Sequence, residues 1–174
     1  IDFSPVDGTI WYSKLNGNRI GRIDPKAKDG NIKEWNPPFR GPRRLHIAPD
    51  GMVWVPGFGS GEFGSFNPKT EKWKVYKLPN ADNQIPYALN VAPDGMVWIC
   101  GTNSDSLHRF DPKTEERVEF RLPSRVTYTR EIEFDDEGNV WTCNSNGPAR
   151  HTERGYGSII KLEILEDKLT GAGK

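Results

Sequence analysis

The chain has 174 residues, and its 24 lysines and arginines balance 24 aspartates and glutamates, so the formal net charge is zero. That neutrality removes the electrostatic case for nucleic acid, which needs a strongly basic surface. No apolar run approaches the ~20 residues of a membrane-crossing helix, so no membrane span is expected.

Four short phrases recur along the chain: "DGTIW" ending at Trp11, "DGMVW" at Trp54, "DGMVW" at Trp98 and "DEGNVW" at Trp141. A second phrase keeps the same beat, "DPK" from Asp24, "NPKT" from Asn67 and "DPKT" from Asp111. Two phrases locked to one spacing of 43 or 44 residues define an internal repeat. The units run over residues 1–41, 42–83, 84–126 and 127–165, followed by a polar tail at 166–174.

The third unit shows the content of one repeat. It holds four β-rich segments, "YALNV", "MVWIC", "LHRF" and "RVEFRL". Turn chemistry separates them: "APDG" supplies a tight reversal and "DPKTE" an Asp-Pro turn. Such punctuation predicts antiparallel strands, and no stretch carries a sustained helical period. Four strands in about 43 residues is the length of one propeller blade. A lone four-stranded sheet leaves both faces wet, so blades stack around an axis and bury their tryptophans between them. The expected class is therefore all-β, a β-propeller with four visible four-stranded blades. The first unit opens on an innermost strand and the fourth lacks a dependable outer strand. That pattern predicts the C-terminal part of a larger ring, with a self-contained four-bladed ring as the alternative.

The repeat also locates a functional face. The Asp-Gly and Pro-Lys turns join the first strand to the second and the third to the fourth, so they share one end of the sheet. The remaining connections share the other end and vary freely, which is where binding and catalysis tend to sit on a rigid scaffold. The fourth unit enlarges that face. Trp141 to Ile159 is 18 residues, against nine for Trp11 to Ile20, Trp54 to Phe63 and Trp98 to Leu107. The additional loop carries Arg150, His151, Glu153, Arg154 and Tyr156. His151 and Glu153 form an His-x-Glu pair suited to acid–base work or a metal, and they are the catalytic candidates. His46 and His108, both within strands, are expected to be packed. Cys100 and Cys143 each follow a repeat tryptophan by two residues, which predicts two buried free thiols and no zinc site.

The phrases "NGNRIGRIDPK", "GPRRLHIAPDGMVWV", "FNPKTEKWKVYKLP" and "TREIEFDDEGNVWT" resemble the repeats of the streptogramin B lyase family, also called virginiamycin B lyase. The resemblance covers essentially the whole chain. It implies a ring of about seven blades and a magnesium-dependent elimination that opens the ester of a cyclic depsipeptide. It also implies a catalytic histidine about eleven residues before a blade tryptophan and a glutamate three residues after it. Here the histidine position holds Arg43, Tyr87 and Arg130, and the glutamate position holds Lys14, Gly57, Gly101 and Asn144. In the first unit the histidine position would precede Ile1, and no visible blade has the pair, so any lyase chemistry would lie on blades outside this chain, and no cofactor is evident within it beyond the Mg2+ that the lyase reading would bring.

What stands at those positions has its own character. Lys14, Arg43, Tyr87 and Arg130 are expected to project toward the axis at the variable end, with Arg44 and Asn144 nearby. Such a mouth suits a carboxylate, a phosphate or an acidic partner loop, so a small anionic ligand or a protein partner is expected. The missing blades of the same ring are a further expected partner. Pairing with Glu131, Glu133 or Asp105 would instead close the channel. A calcium-dependent lactonase, with Asn90, Asn144 and Asn146 as oxygen ligands, is a third reading. Propellers of this kind are often exported, which favours a periplasmic or secreted location.

Overall fold

Each Asp-Gly turn is built the same way, and that sameness explains the recurring phrase. The aspartate carboxylate accepts from the backbone two residues on: Asp7 from Thr9 N (3.1 Å), Asp50 from Met52 N (2.9 Å) and Asp94 from Met96 N (2.9 Å). The glycine between takes a positive φ, 73° at Gly8, 87° at Gly51, 85° at Gly95 and 81° at Gly138. The Pro-Lys turns use the same side-chain mimicry, with Asp24, Asn67 and Asp111 accepting from Lys26, Lys69 and Lys113.

The computed structural model describes residues 1–144 and 157–164. Those residues form fifteen strands in four antiparallel sheets. The first sheet is β1 (Asp2–Phe3), β2 (Ile10–Lys14), β3 (Arg19–Ile23) and β4 (Lys33–Trp35). The second is β5 (His46–Ile47), β6 (Val53–Gly57), β7 (Glu62–Asn67) and β8 (Lys72–Lys77). The third is β9 (Pro86–Val91), β10 (Val97–Gly101), β11 (Ser106–Phe110) and β12 (Arg117–Arg121). The fourth is β13 (Ile132–Phe134), β14 (Val140–Asn144) and β15 (Ser158–Leu162), three strands among the described residues. The all-β meander expected from the repeat is the observed architecture, and no described helix is long and apolar enough to cross a membrane.

The sheets stack face to face, and each contact buries one repeat tryptophan. Trp11 and Ile20 of the first sheet pack on Ile47, Val53, Val55 and Phe66 of the second. Trp54 and Phe63 pack on Leu89, Val97, Ile99 and Phe110 of the third. Trp98, Cys100 and Leu107 pack on Ile132 and Val140 of the fourth. An aromatic residue from the outer strand covers each indole: Trp35 stacks on Trp11 at 5.4 Å, Tyr76 on Trp54 at 6.0 Å and Phe120 on Trp98 at 5.3 Å. Burial of large side chains of this kind contributes roughly 1.5–3 kcal/mol each.

The fourth sheet departs from that scheme. Ile159 stands opposite Cys143, as Leu107 stands opposite Cys100. Leu107 is fully buried, whereas Ile159 is 76% exposed. The two thiols are both free, as expected, but only Cys100 is buried; Cys143 is exposed. The expectation of two buried thiols fails because no further sheet covers this face among the described residues. The register also confirms the enlarged loop. Trp11 pairs with Arg22, Trp54 with Ser65 and Trp98 with Arg109, but Trp141 pairs with Lys161, nine residues further on.

Candidate functional site

The innermost strand β9, and the connections entering β5 and β13, bring Arg43, Tyr87 and Arg130 together. Register is the cause: these residues precede their blade tryptophans by the same eleven positions, and the sheets stack in register around the axis. Tyr87 is 4% exposed and lies at the centre. The Arg43 guanidinium sits 3.8 Å from the centroid of Tyr87 and 4.3 Å from that of Phe58, and it donates to the Tyr87 hydroxyl at 2.6 Å. Arg130 lies 4.8 Å from the Tyr128 ring and 5.5 Å from Tyr87, and Arg44 also lies 5.5 Å from Tyr87. Three guanidinium groups thus share one buried ring. Each such contact is worth about 0.5–2 kcal/mol, depending on desolvation. Two of these guanidinium groups also spend N–H donors within the protein, Arg43 on the Tyr87 hydroxyl and Arg44 on Glu131.

Arg44 also forms an ion pair with Glu131. The expected closing pairs are therefore realised only in part. Asp105 pairs with none of these arginines; its carboxylate accepts from Val126 N (2.9 Å), Thr127 N (2.7 Å) and the Thr127 hydroxyl (2.9 Å). Those bonds hold a loop in which Val126 has φ 53° and Tyr128 has φ 47°, unusual values for bulky residues. The loop sets Tyr128 against Arg130. Phe58 and Tyr128 are thus site residues that repeat spacing did not reveal, because they lie in connections that share no phrase between units, and Asp105, expected as a partner of the arginines, instead holds the Tyr128 loop.

Two expected members stand elsewhere. Lys14 does not reach the axial cluster. Its ammonium binds Glu34 on the outer strand β4 at 3.1 Å, where Arg19 and the Tyr12 hydroxyl also bind the carboxylate. Hydrogen bonds from Arg19, Tyr12 and Lys14 lower the Glu34 carboxyl to about 2. Asn144 ends β14, buried, opposite Ser158. His151, Glu153 and Asn146 lie outside the described residues.

Gly57 and Gly101 stand where the resemblance implies a glutamate, and both positions are tight. A Cβ at Gly57 would lie 2.8 Å from the Phe39 ring and 2.9 Å from the Glu62 carbonyl oxygen. One at Gly101 would lie 2.3 Å from Ser104 Oγ and 2.7 Å from Ser106 Oγ. These two blades therefore pack against any side chain at the glutamate position.

A second polar layer lies below the arginine rim. Asp2, His46, Asn90 and Glu133 stand directly opposite Trp11, Trp54, Trp98 and Trp141 in the strand registers, so they are equivalent positions of the four blades. They line an axial cavity of about 520 Å3 together with Arg44 and Glu131. His46 is half-buried, with Nδ1 3.1 Å from Asp2, so it faces the axis and is not packed as expected. His108 is packed as expected, fully buried, with Nε2 3.2 Å from Ser106 Oγ. The Asn90 amide is committed on both ends, donating to Ile132 O and accepting from Val91 N, each at 2.8 Å. Burial, then repulsion from Glu131, raises the Glu133 carboxyl. Hollows of about 470 and 310 Å3 lie at the opposite end. Each is walled by Asp-Gly and Pro-Lys turns of neighbouring blades, so they recur with the repeat.

Among the described residues no group of three His, Cys, Asp or Glu side chains could hold a metal ion. The mouth carries three guanidinium groups, and Glu131 is already paired with one of them. The described site therefore does not fit a resident divalent cation.

A profile of the virginiamycin B lyase family matches residues 3–163. No curated protein matches the chain. Among solved structures, selenomethionine-substituted virginiamycin B lyase from Staphylococcus aureus is 22% identical, with a TM-score of 0.73 over 94% of this chain and 55% of that one. A catalytically inactive form of the same Staphylococcus aureus enzyme with quinupristin is 23% identical, with a TM-score of 0.72 over 92% of this chain and 54% of that one. Hydrazine synthase from Kuenenia stuttgartiensis gives a TM-score of 0.77 at 17% identity, over 94% of this chain and 45% of that one. The chain spans about half the length of these solved relatives.

Proposed function

This chain belongs to the virginiamycin B lyase family, and on that premise we propose that it binds a small anionic ligand at the channel mouth. The observation that carries the reading is the convergence of Arg43, Arg44 and Arg130 on the single buried ring of Tyr87. Guanidinium groups gathered around one buried ring lose less conformational freedom when they bind a carboxylate or phosphate. Binding is independent of divalent metal, because the described residues supply no metal site. Titration calorimetry with succinate and with inorganic phosphate tests this. Wild-type protein binds one or both with and without EDTA, and the Arg43→Ala/Arg130→Ala variant binds at least tenfold more weakly. Equal affinity in the two proteins would overturn the reading.

Family membership favours a second reading, a metal-dependent C–O lyase whose catalytic pair lies beyond residues 1–174. Both positions of that pair are otherwise occupied here, by Tyr87 and Gly101 in the third blade for example. On this reading the chain supplies the scaffold and part of the mouth. Ring opening of a streptogramin B antibiotic, assayed with and without EDTA, distinguishes the two. Turnover by the isolated chain would contradict both the binding reading and the assignment of catalysis to other blades.

A further inference from the structure

The third strand of each sheet places one residue directly opposite the repeat tryptophan, and in three blades of four that residue is basic. Arg22 faces Trp11, Arg109 faces Trp98 and Lys161 faces Trp141, but Ser65 faces Trp54. The basic side chains also reach an aspartate of their own blade's first turn. Arg109 binds Asp94 at 3.5 Å, and Lys161 binds Asp135 at 3.6 Å with its ammonium 5.4 Å from the Trp141 ring centre. Arg22 borders the hollow of about 310 Å3 with Trp11 and Asp7, within range of the Asp7 charge. The second blade has the indole and the aspartate without the cation. Asp50 bonds the Met52 amide but is in no salt bridge among the described residues. The hollow beside Ser65 is correspondingly larger, about 470 Å3. Trp54 and Tyr76, stacked at 6.0 Å, and the side chains of Met52 and Met96 give it apolar walls. Three carboxylates border it, at Asp50, Asp94 and Asp111, against two ammonium groups, at Lys74 and Lys113.

We propose that this hollow receives an arginine side chain of a partner protein, with the guanidinium beside Trp54 and Asp50 and the stem along Met52 and Met96. The other blades show that the fold accepts a basic side chain at this place, and arginine holds it in two of them. A guanidinium suits the hollow because it is weakly hydrated, stacks on aromatic faces and binds carboxylates through its edge. Its aliphatic stem covers apolar surface while the charge stays near the mouth. Lys74 follows Ser65 in the same cross-strand row and lines the hollow, yet it does not pair with Asp50. Its ammonium opposes the incoming charge, so Lys74→Ala is expected to tighten binding. The site lies at the opposite end of the sheets from the arginine rim and does not depend on the anion-binding reading.

Calorimetry compares N-acetyl-arginine amide with its neutral isostere, N-acetyl-citrulline amide, neither of which carries a carboxylate for the rim. Wild-type protein binds the arginine compound about tenfold or more tightly, as expected where a charge-assisted bond is made by one and not the other. Ser65→Arg fills the hollow with the residue that two other blades carry, so it loses binding and melts no lower than wild type. Asp50→Asn keeps the turn, since its amide oxygen accepts from Met52 N as Asn67 accepts from Lys69 N. That variant narrows the gap between the two compounds to within about twofold. Equal binding of the two compounds by wild type, or an affinity for the arginine compound that Ser65→Arg leaves unchanged, overturns the proposal. Where Ser65→Arg melts below wild type, Asp50→Asn decides, and an undiminished gap there overturns it as well.

Discussion

Arg43 stacks its guanidinium 3.8 Å from the Tyr87 ring centre and at the same time donates to the Tyr87 hydroxyl at 2.6 Å. One arginine from the second blade is thereby locked onto one tyrosine of the third, across the seam between sheets. The hydroxyl and the ring do separable work. Tyr87→Phe removes the hydrogen bond and keeps the stacked face. It is expected to cost about 1–2 kcal/mol of stability, the range for a bond to a charged donor left partly unsatisfied. Tyr87→Ala also removes a buried aromatic ring and is expected to cost about 3–5 kcal/mol. Denaturant unfolding of the two variants checks the order. Equal losses would mean that the ring contributes nothing beyond its hydroxyl.

His108 gives the fold an acid limit. It is fully buried, its Nδ1 has no hydrogen-bond partner, and burial lowers it from an ordinary 6.5 to about 4. The folded protein therefore holds the ring neutral, while the unfolded chain takes up a proton near pH 6.5. Stability from this group is complete above pH 6.5 and is lost as pH falls from there toward 4. At about 1.4 kcal/mol per pKa unit the full loss is on the order of 3 kcal/mol. Guanidinium midpoints measured from pH 7 to 4 are expected to fall more steeply for wild type than for His108→Gln. Parallel curves would place the acid sensitivity elsewhere.

The two thiols differ in reactivity. Cys100 is fully buried, and desolvation pushes its thiol up to about 12, whereas Cys143 is exposed on a face of the fourth sheet that no other described sheet covers. An aromatic disulfide reagent is expected to titrate one thiol per chain within minutes under native conditions and two after unfolding. Two fast thiols in the native protein would mean that the seam between the third and fourth sheets opens readily.

The blades were legible in the sequence because their turns are local: an aspartate, a glycine at positive φ and a tryptophan recur wherever a blade starts. The placing of Arg43, Tyr87 and Arg130 was legible too, since equivalent positions of stacked sheets share a face. Lys14 shows where that logic stops. It holds the equivalent end of its strand, but a long side chain follows its nearest carboxylate, and Glu34 lies outward. The axial layer was written in the sequence less openly. Asp2 precedes its tryptophan by nine residues, while His46, Asn90 and Glu133 precede theirs by eight, so only the observed pairing aligns the four. Phe58 and Tyr128 had no repeat to reveal them, and Asp105 was expected beside the arginines but binds the loop before Tyr128. The exposure of Cys143 and Ile159 depends on what covers a sheet, which periodicity within the sheet does not state.

The third blade can be given the lyase family's pair by two substitutions, Tyr87→His and Gly101→Glu, and its packing opposes both. A side chain at position 101 must displace the hydroxyls of Ser104 and Ser106, which bond to each other at 2.6 Å, the second of them also bonding to His108 at 3.2 Å. Forcing atoms into a filled interior costs about 1–3 kcal/mol, and a carboxylate placed there without a cation adds to that. Replacing Tyr87 removes the ring that Arg43, Arg44 and Arg130 share, so the new histidine enters among three positive charges that disfavour a bound cation. The double variant is expected to melt well below wild type and to gain no stability from millimolar Mg2+. Gly101→Ala alone should already lower the melting temperature. A variant that melts near the wild-type temperature and rises with added Mg2+ would show that this blade can carry the metal site that the lyase resemblance implies.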